Sequence, residues 1–320
     1  MNSKYEKACN TLLYVCGCCK KDEEILIITD PTSSEIARVL WDAARDLSNK
    51  NMIMMDDRSM HGEEPTKLVA DAMMACDVMF RVTKYSLSST KARKRAIEAG
   101  KRDVNMADYR LSMLESGGLF TDFIEAGKVV KRVAKSIEGE KIKIVSPGGT
   151  NFTASIKGNP GREVSGRSTK PGELASPPDI EANIGAIEGT ANGIIRVDGS
   201  IPYPSLGLIS DEIWLTVEKS VITDIKGGPQ AAELARLLAS YNDPRVYRIG
   251  EIGIGLNPDC RLCGLMLEDE GVYGTVHFGI GNNLAWGGTS DCSLHLDAII
   301  LKPTLTVDDR IIIENGELRV

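Results

Sequence analysis

Glu24-Ile-Leu-Ile-Ile-Thr-Asp30 is followed at once by Pro31-Thr-Ser-Ser34 and then by Ile36, Val39, Leu40 and Ala43. A short, uninterrupted apolar run of this kind fits a strand buried on both faces. The hydroxyl-rich segment behind it suits a helix cap, and the apolar residues beyond share one helical face through about Leu47. Strand, cap and helix in this order is the repeating unit of a parallel sheet. The chain repeats it, with strands at Met52–Met55, Asp77–Val82 and Arg102–Met106 and helices at Pro65–Met74, Ser88–Ala99 and Phe120–Ser136. In the other direction, Ala8, Leu12, Leu13, Val15 and Cys16 predict a helix over residues 4–19. Residues 1–140 are thus expected to form an α/β domain, a parallel sheet with flanking helices.

Such a domain invites a nucleotide, but the first strand runs into Asp-Pro-Thr-Ser-Ser and not into Gly-x-Gly-x-x-Gly. No Gly-x-x-x-x-Gly-Lys-Ser/Thr occurs either, so the sequence argues against dinucleotide or nucleoside triphosphate binding in this half.

Near Gly139 the pattern changes. Short alternating runs separated by Gly and Pro replace the helices, at Lys141–Ser146, Asn151–Lys157, Gly193–Val197, Ile213–Glu218 and Ser220–Ile225. One amphipathic helix, Pro229–Ser240, interrupts them before further strands at Val246–Ile254, Gly274–Gly281, His295–Leu301 and Arg310–Ile313. Residues 141–320 are therefore expected to form a β-rich (α+β) domain.

Composition bounds the function. The 320 residues are 42% apolar and 26% charged with a net charge of −7, which describes a globular protein without a basic face for nucleic acid. Lys91-Ala-Arg-Lys-Arg95, a basic cluster on a helix, reads as a solvated face. Neither a signal peptide nor an apolar run of membrane-spanning length is visible, so a cytoplasmic protein without membrane contact is expected. Its eight cysteines, Cys260-x-x-Cys263 among them, then read as thiols.

The chemistry gathers late in the chain. Two of only three histidines, His277 and His295, lie among carboxylates in Gly-rich surroundings. His295 and Asp297 are two apart on an alternating segment, so both side chains point to one face and form a corner suited to a metal. His277 sits on another strand in Gly-Thr-Val-His-Phe-Gly-Ile-Gly, Glu251 opens a third, and Glu270 leads into the His277 strand. Lone His61 falls on a loop, as does Trp286 beside Asn282 and Asn283. Asp291 and Ser293 are candidates to orient His295, and Pro171–Pro178 reads as a loop.

Several blocks in fixed order resemble the metal-dependent aminopeptidases of the aminopeptidase T and aminopeptidase S type. They are Ser146-Pro-Gly-Gly-Thr150, Pro178-Asp-Ile-Glu181, Glu188-Gly-Thr-Ala-Asn-Gly193, Glu251-Ile-Gly-Ile-Gly-Leu-Asn-Pro258, Thr275-Val-His277 and Ser293-Leu-His-Leu-Asp297. The resemblance implies metal ligands at Glu181, Glu251, His277, His295 and Asp297, with Glu251 bridging two ions of zinc, cobalt or manganese and Glu270 moving a proton. It implies a homodimeric hydrolase that releases N-terminal residues from short peptides. The sequence departs from the family at Leu284, where the peptidases carry a tyrosine. Two alternatives stand beside this reading. Dihydroxypyridine ring-cleaving dioxygenases share the fold and would use His277, His295 and Asp297 for one ferrous ion, and a non-catalytic relative would bind a small molecule.

Overall fold

The protein was analysed as a computed structural model that describes residues 3–320. The mixed α/β architecture is as expected, with a parallel sheet and antiparallel β-rich sheets. The chain forms two compact units, residues 1–123 with 165–178 and residues 124–164 with 179–320. A single cut at residue 140 does not describe this division. The Phe123–Ser136 helix lies in the second unit from Ile124 onward, and its Ala134 carbonyl presses on Gly161 so closely that a Cβ there would stand 1.9 Å away.

In the first unit, parallel strands lie in the order Asn49–Met54, Glu24–Thr29, Val78–Val82, Arg102–Asn105 and Leu174–Ala175. The Glu24–Thr29 strand is interior, paired on both sides, and Ile25, Ile27 and Ile28 are fully buried, as its continuous apolar run requires. Helices Lys67–Ala75 and Lys91–Glu98 begin where a threonine hydroxyl can cap them. Thr66 accepts from the Val69 amide and Thr90 from the Arg93 amide. The Leu174–Ala175 strand corrects the reading of 171–178 as loop, since it pairs with Asp103 and Val104. Two residues are too few to carry a periodic signal.

Two polar devices hold this sheet. Arg81 is fully buried and makes a two-pronged ion pair with Asp103, Nε to Oδ1 at 2.7 Å and Nη2 to Oδ2 at 3.0 Å, while Arg93 adds a third bond to Oδ2. Asp30, also buried, accepts the Ser33 amide on one oxygen at 2.8 Å and the Lys84 amide on the other at 2.6 Å.

The second unit is built on two antiparallel sheets. One has eight strands, in the order Val221–Gly227, Ile213–Glu218, Asn192–Val197, Asn151–Ser155, Lys141–Val145, Thr304–Val307, Arg310–Glu314 and Glu317–Leu318. The other has five, in the order His295–Ile300, Val276–Gly281, Ile249–Gly255, Glu181–Gly185 and Arg162–Val164. On this second sheet, Ala182, Ile184, Ile252, Ile254, Val276, Phe278, Ile280, Leu296, Ala298 and Ile300 alternate with polar residues and glycines, and all ten are buried. Phe278 meets Phe152 of the larger sheet edge-on at 4.9 Å. The apolar face of the small sheet is thus core, which leaves the opposite face for chemistry. Among the described residues no helix is long and apolar enough to cross a membrane.

Candidate metal centre

Strand alternation puts Glu181, Asn183, Glu251, His277, His295 and Asp297 on the non-core face of the five-stranded sheet. The register adds a second regularity, for each acid or histidine has a glycine beside it on a neighbouring strand. Glu181 pairs with Gly255, Glu251 with Gly185 and Gly279, His277 with Gly253, His295 with Gly281 and Asp297 with Gly279. Glycine is required here for space. A Cβ on Gly253 would stand 1.9 Å from His277 Nε2, and one on Gly279 would stand 2.9 Å from both Glu251 Oε2 and His295 Cε1. Gly255 likewise makes room for the Glu270 carbonyl, and Gly185 for Trp286.

The side chains gather into two groups that could each hold a metal ion, Glu181 with Glu251 and His277, and Glu251 with His295 and Asp297. Glu251 belongs to both. His277 Nε2 lies 2.8 Å from Glu181 Oε2 and 4.0 Å from Glu251 Oε1; His295 Nε2 lies 3.2 Å from Glu251 Oε2 and 3.3 Å from Asp297 Oδ2. The sequence reading therefore brought together five residues that do converge. It missed two others. Asp179 is buried against the same cluster, and Asn183 donates to Glu181 Oε1 at 2.6 Å.

The orientation of His295 also differs from expectation. Its Nδ1 lies 3.0 Å from the Asn282 carbonyl, while Asp291 and Ser293 are exposed. A carbonyl oxygen can only accept, so this bond puts the proton on Nδ1 and leaves the Nε2 lone pair toward the carboxylates, as a metal ligand needs. His61, in the first unit, accepts the Ser86 amide through Nδ1, and Cys260 is a buried thiol whose pKa burial pushes well above its usual value.

Electrostatics support a cation. Burial raises the Glu251 carboxyl to about 7, with Asp297 and Glu181 adding repulsion and His295 opposing. Burial, with Asp297, Asp179 and Glu181 beside it, raises Glu270 well above the carboxylate range, and burial followed by Glu181 does the same to Asp179. Burial is the largest single influence on His277 and lowers its affinity for a proton, but the charge and hydrogen bond of Glu181, together with the charges of Asp297 and Glu251, outweigh it and lift the imidazole to about 10. Asp297 moves the other way: burial is overcome by His295 and His277, which hold it below the usual range. Crowded carboxyls cannot all ionise without a counter-charge. Asp297 Oδ1, Glu270 Oε1 and Asp179 Oδ1 are buried oxygens with no hydrogen-bond partner. A divalent cation would supply both the charge and the missing partner.

The comparisons with known proteins show the family to which the chain belongs. Residues 4–320 match the family described as NicX, 2,5-dihydroxypyridine 5,6-dioxygenase. The chain belongs to this dioxygenase family. A curated 2,5-dihydroxypyridine 5,6-dioxygenase of Pseudomonas putida KT2440 is 28% identical over 191 residues, a stretch that is 57% of this chain and 55% of that enzyme. The curated likeness thus spans a little over half of the relative. The solved structure of 2,5-dihydroxypyridine dioxygenase from Pseudomonas putida KT2440 superposes with a TM-score of 0.80 at 19% identity, over 99% of this chain and 96% of that one. Wild-type AmpT from Thermus thermophilus gives 0.71 at 14% identity, over 99% of both chains.

Membership in the dioxygenase family corrects the expectation of an aminopeptidase. The hydrolase reading is overturned, and nothing here supports the choice of zinc, cobalt or manganese that came with it. The likeness to AmpT is one of fold. Four of the six blocks that suggested a peptidase, those holding Glu181, Glu251, His277 and His295 with Asp297, build this glycine-lined face, and the face does not itself select the reaction. Leu284, exposed where the peptidases carry tyrosine, was the residue that pointed away from them.

The glycine register makes a direct prediction. Gly253→Ala places its methyl 1.9 Å from Nε2 of the buried His277 ring, so the ring must shift from its place beside Glu181. Metal affinity should fall by about 10–100-fold, the range for loss of a group that orients a ligand, with the circular dichroism spectrum kept. Titration with Co(II) checks this, and wild-type affinity in the variant would refute the assigned role of the glycine.

Proposed function

We propose that this protein is a ferrous-iron-dependent dioxygenase that opens a hydroxylated, nitrogen-containing aromatic ring. The observation that carries the reading is the family match along residues 4–320, which includes the whole cluster. His277, His295 and Asp297 would hold the ion, two imidazoles and a carboxylate being the donor set of non-haem iron oxygenases. The fit rests on the Nδ1-protonated form of His295 and on the unpartnered buried oxygen of Asp297. When bound, ferrous iron supplies the electron transfer that lets dioxygen react with an aromatic ring.

The chain's own residues then have distinct tasks. Glu251, beside both imidazoles, is the carboxylate placed to accept a proton from a ring hydroxyl. Burial and the neighbouring carboxylates push the Glu270 carboxyl toward its protonated form, which limits the negative charge an ionised substrate would meet. Glu181 is held by Asn183 and keeps its other oxygen toward His277. Trp286 covers one face of the His295 imidazole.

The test uses protein purified without oxygen, loaded with Fe(II), and supplied with 2,5-dihydroxypyridine in an oxygen electrode. Oxygen uptake in proportion to the loss of ring absorbance is the expected result. An iron-loaded protein that consumes no oxygen with any dihydroxylated pyridine would overturn the reading.

A further inference from the structure

His295 is the one member of the cluster that is not enclosed, its side chain being 31% exposed where the other ligand candidates are at most 7%. It starts its strand, so the sheet alone does little to fix its ring. Two contacts do fix it, and both come from the loop of residues 282–290. The Asn282 carbonyl binds Nδ1 at 3.0 Å, which sets rotation of the ring within its plane. The Trp286 indole lies parallel to the imidazole, 9° between planes and 5.1 Å between centroids, which sets its tilt.

The loop is itself pinned. Glu188 accepts from Asn283 Nδ2, the Thr289 amide and the Thr289 hydroxyl, each at 2.8 Å. Asn283 is buried at the loop's centre, where its Oδ1 accepts the Ser290 amide, and a Cβ on Gly250 or Gly288 would collide with its side chain. The indole N–H then donates to Asn183 Oδ1 at 3.0 Å, and the same amide donates to Glu181. From these contacts we infer that Trp286 is a positioning residue that sets the His295 ring for metal binding, with Asn183 tying it to Glu181 and Glu188 holding its loop. The inference rests on the metal-centre reading above but not on the reaction.

Three variants separate the parts. Trp286→Leu removes the stacked ring, Trp286→Phe keeps a ring but loses the N–H, and Glu188→Ala frees the loop. Trp41→Phe, in the first unit, is the control. The readouts are the dissociation constant for Co(II), the absorption bands of the bound Co(II), and quenching of tryptophan fluorescence on loading. Trp286→Leu and Glu188→Ala should each weaken Co(II) binding by about 10–100-fold and alter its bands. Trp286→Phe should recover most of that loss, and both Trp286 variants should lose most of the quenching. Trp41→Phe should match the wild type in affinity. Wild-type affinity and bands in Trp286→Leu would overturn the inference, as would equal losses in Trp286→Leu and Trp286→Phe. A wild-type protein that binds Co(II) but, loaded with iron, consumes no oxygen would overturn the dioxygenase reading and leave this inference standing.

Discussion

We expect His295→Ala and Asp297→Ala each to abolish oxygen uptake by the iron-loaded protein while the circular dichroism spectrum stays unchanged. The fold should survive because the sheet is held from its other face, where Leu296, Ala298 and Ile300 remain packed. Removing Asp297 takes away the one carboxylate of the proposed iron set, 3.3 Å from His295 Nε2. Removing His295 leaves Glu251 and Asp297 facing each other without a cation between them. Loss of affinity should exceed the about 10–100-fold expected for groups that merely orient a ligand. The measurement is iron bound per chain after reconstitution, read beside oxygen uptake. Full iron content in the double variant would place the metal elsewhere.

The second large effect concerns stability. Asp103→Ala should destabilise the protein by about 3–5 kcal/mol, because the Arg81 guanidinium would be left buried and unpaired. Both side chains are fully enclosed, and Asp103 gathers three bonds from Arg81 and Arg93. The gain from such a pair is small against two apolar residues of similar size, whereas the cost of breaking one side is large. The combined variant Arg81→Met with Asp103→Leu should therefore recover most of what Asp103→Ala loses. Urea denaturation of the three proteins decides it, and a loss below about 1 kcal/mol for Asp103→Ala would contradict the assigned role.

The parallel sheet was legible because its strands are buried on both faces and read as apolar runs, as at Ile25–Ile28. Helix starts were displaced by two or three residues, since Pro65 and Ser88 look like starts but the hydroxyls of Thr66 and Thr90 make the caps. The Glu181–Gly185 strand escaped notice for the opposite reason. In Glu-Ala-Asn-Ile-Gly the outward positions hold an acid, an amide and a glycine, which look like loop residues. Counting glycines and acids together as one class would have shown the same period of two in Glu251-Ile-Gly-Ile-Gly255 and His277-Phe-Gly-Ile-Gly281. The converging ligands were found because histidines are scarce here. Their supports were not, since a backbone carbonyl such as that of Asn282 leaves no mark in a sequence. The reaction was misjudged because Glu181 and Glu251 were taken as evidence for a pair of hydrolytic ions, although buried carboxylates beside two imidazoles serve iron equally well.

Asp30 bears on a different matter. It closes the first strand, and it joins the turn after that strand to the turn after Val78–Val82, the two places between which the strand order reverses. In open α/β sheets this crevice is where ligands dock, and anionic ones are held there by backbone amides. Here the Ser33 and Lys84 amides already hold an anion, and it is part of the chain. The first unit carries its own occupant for the seat that its relatives in architecture offer to phosphate. Asp30 closes that seat by occupancy and by charge, so placing glycines in the turn would not by itself open the unit to nucleotides.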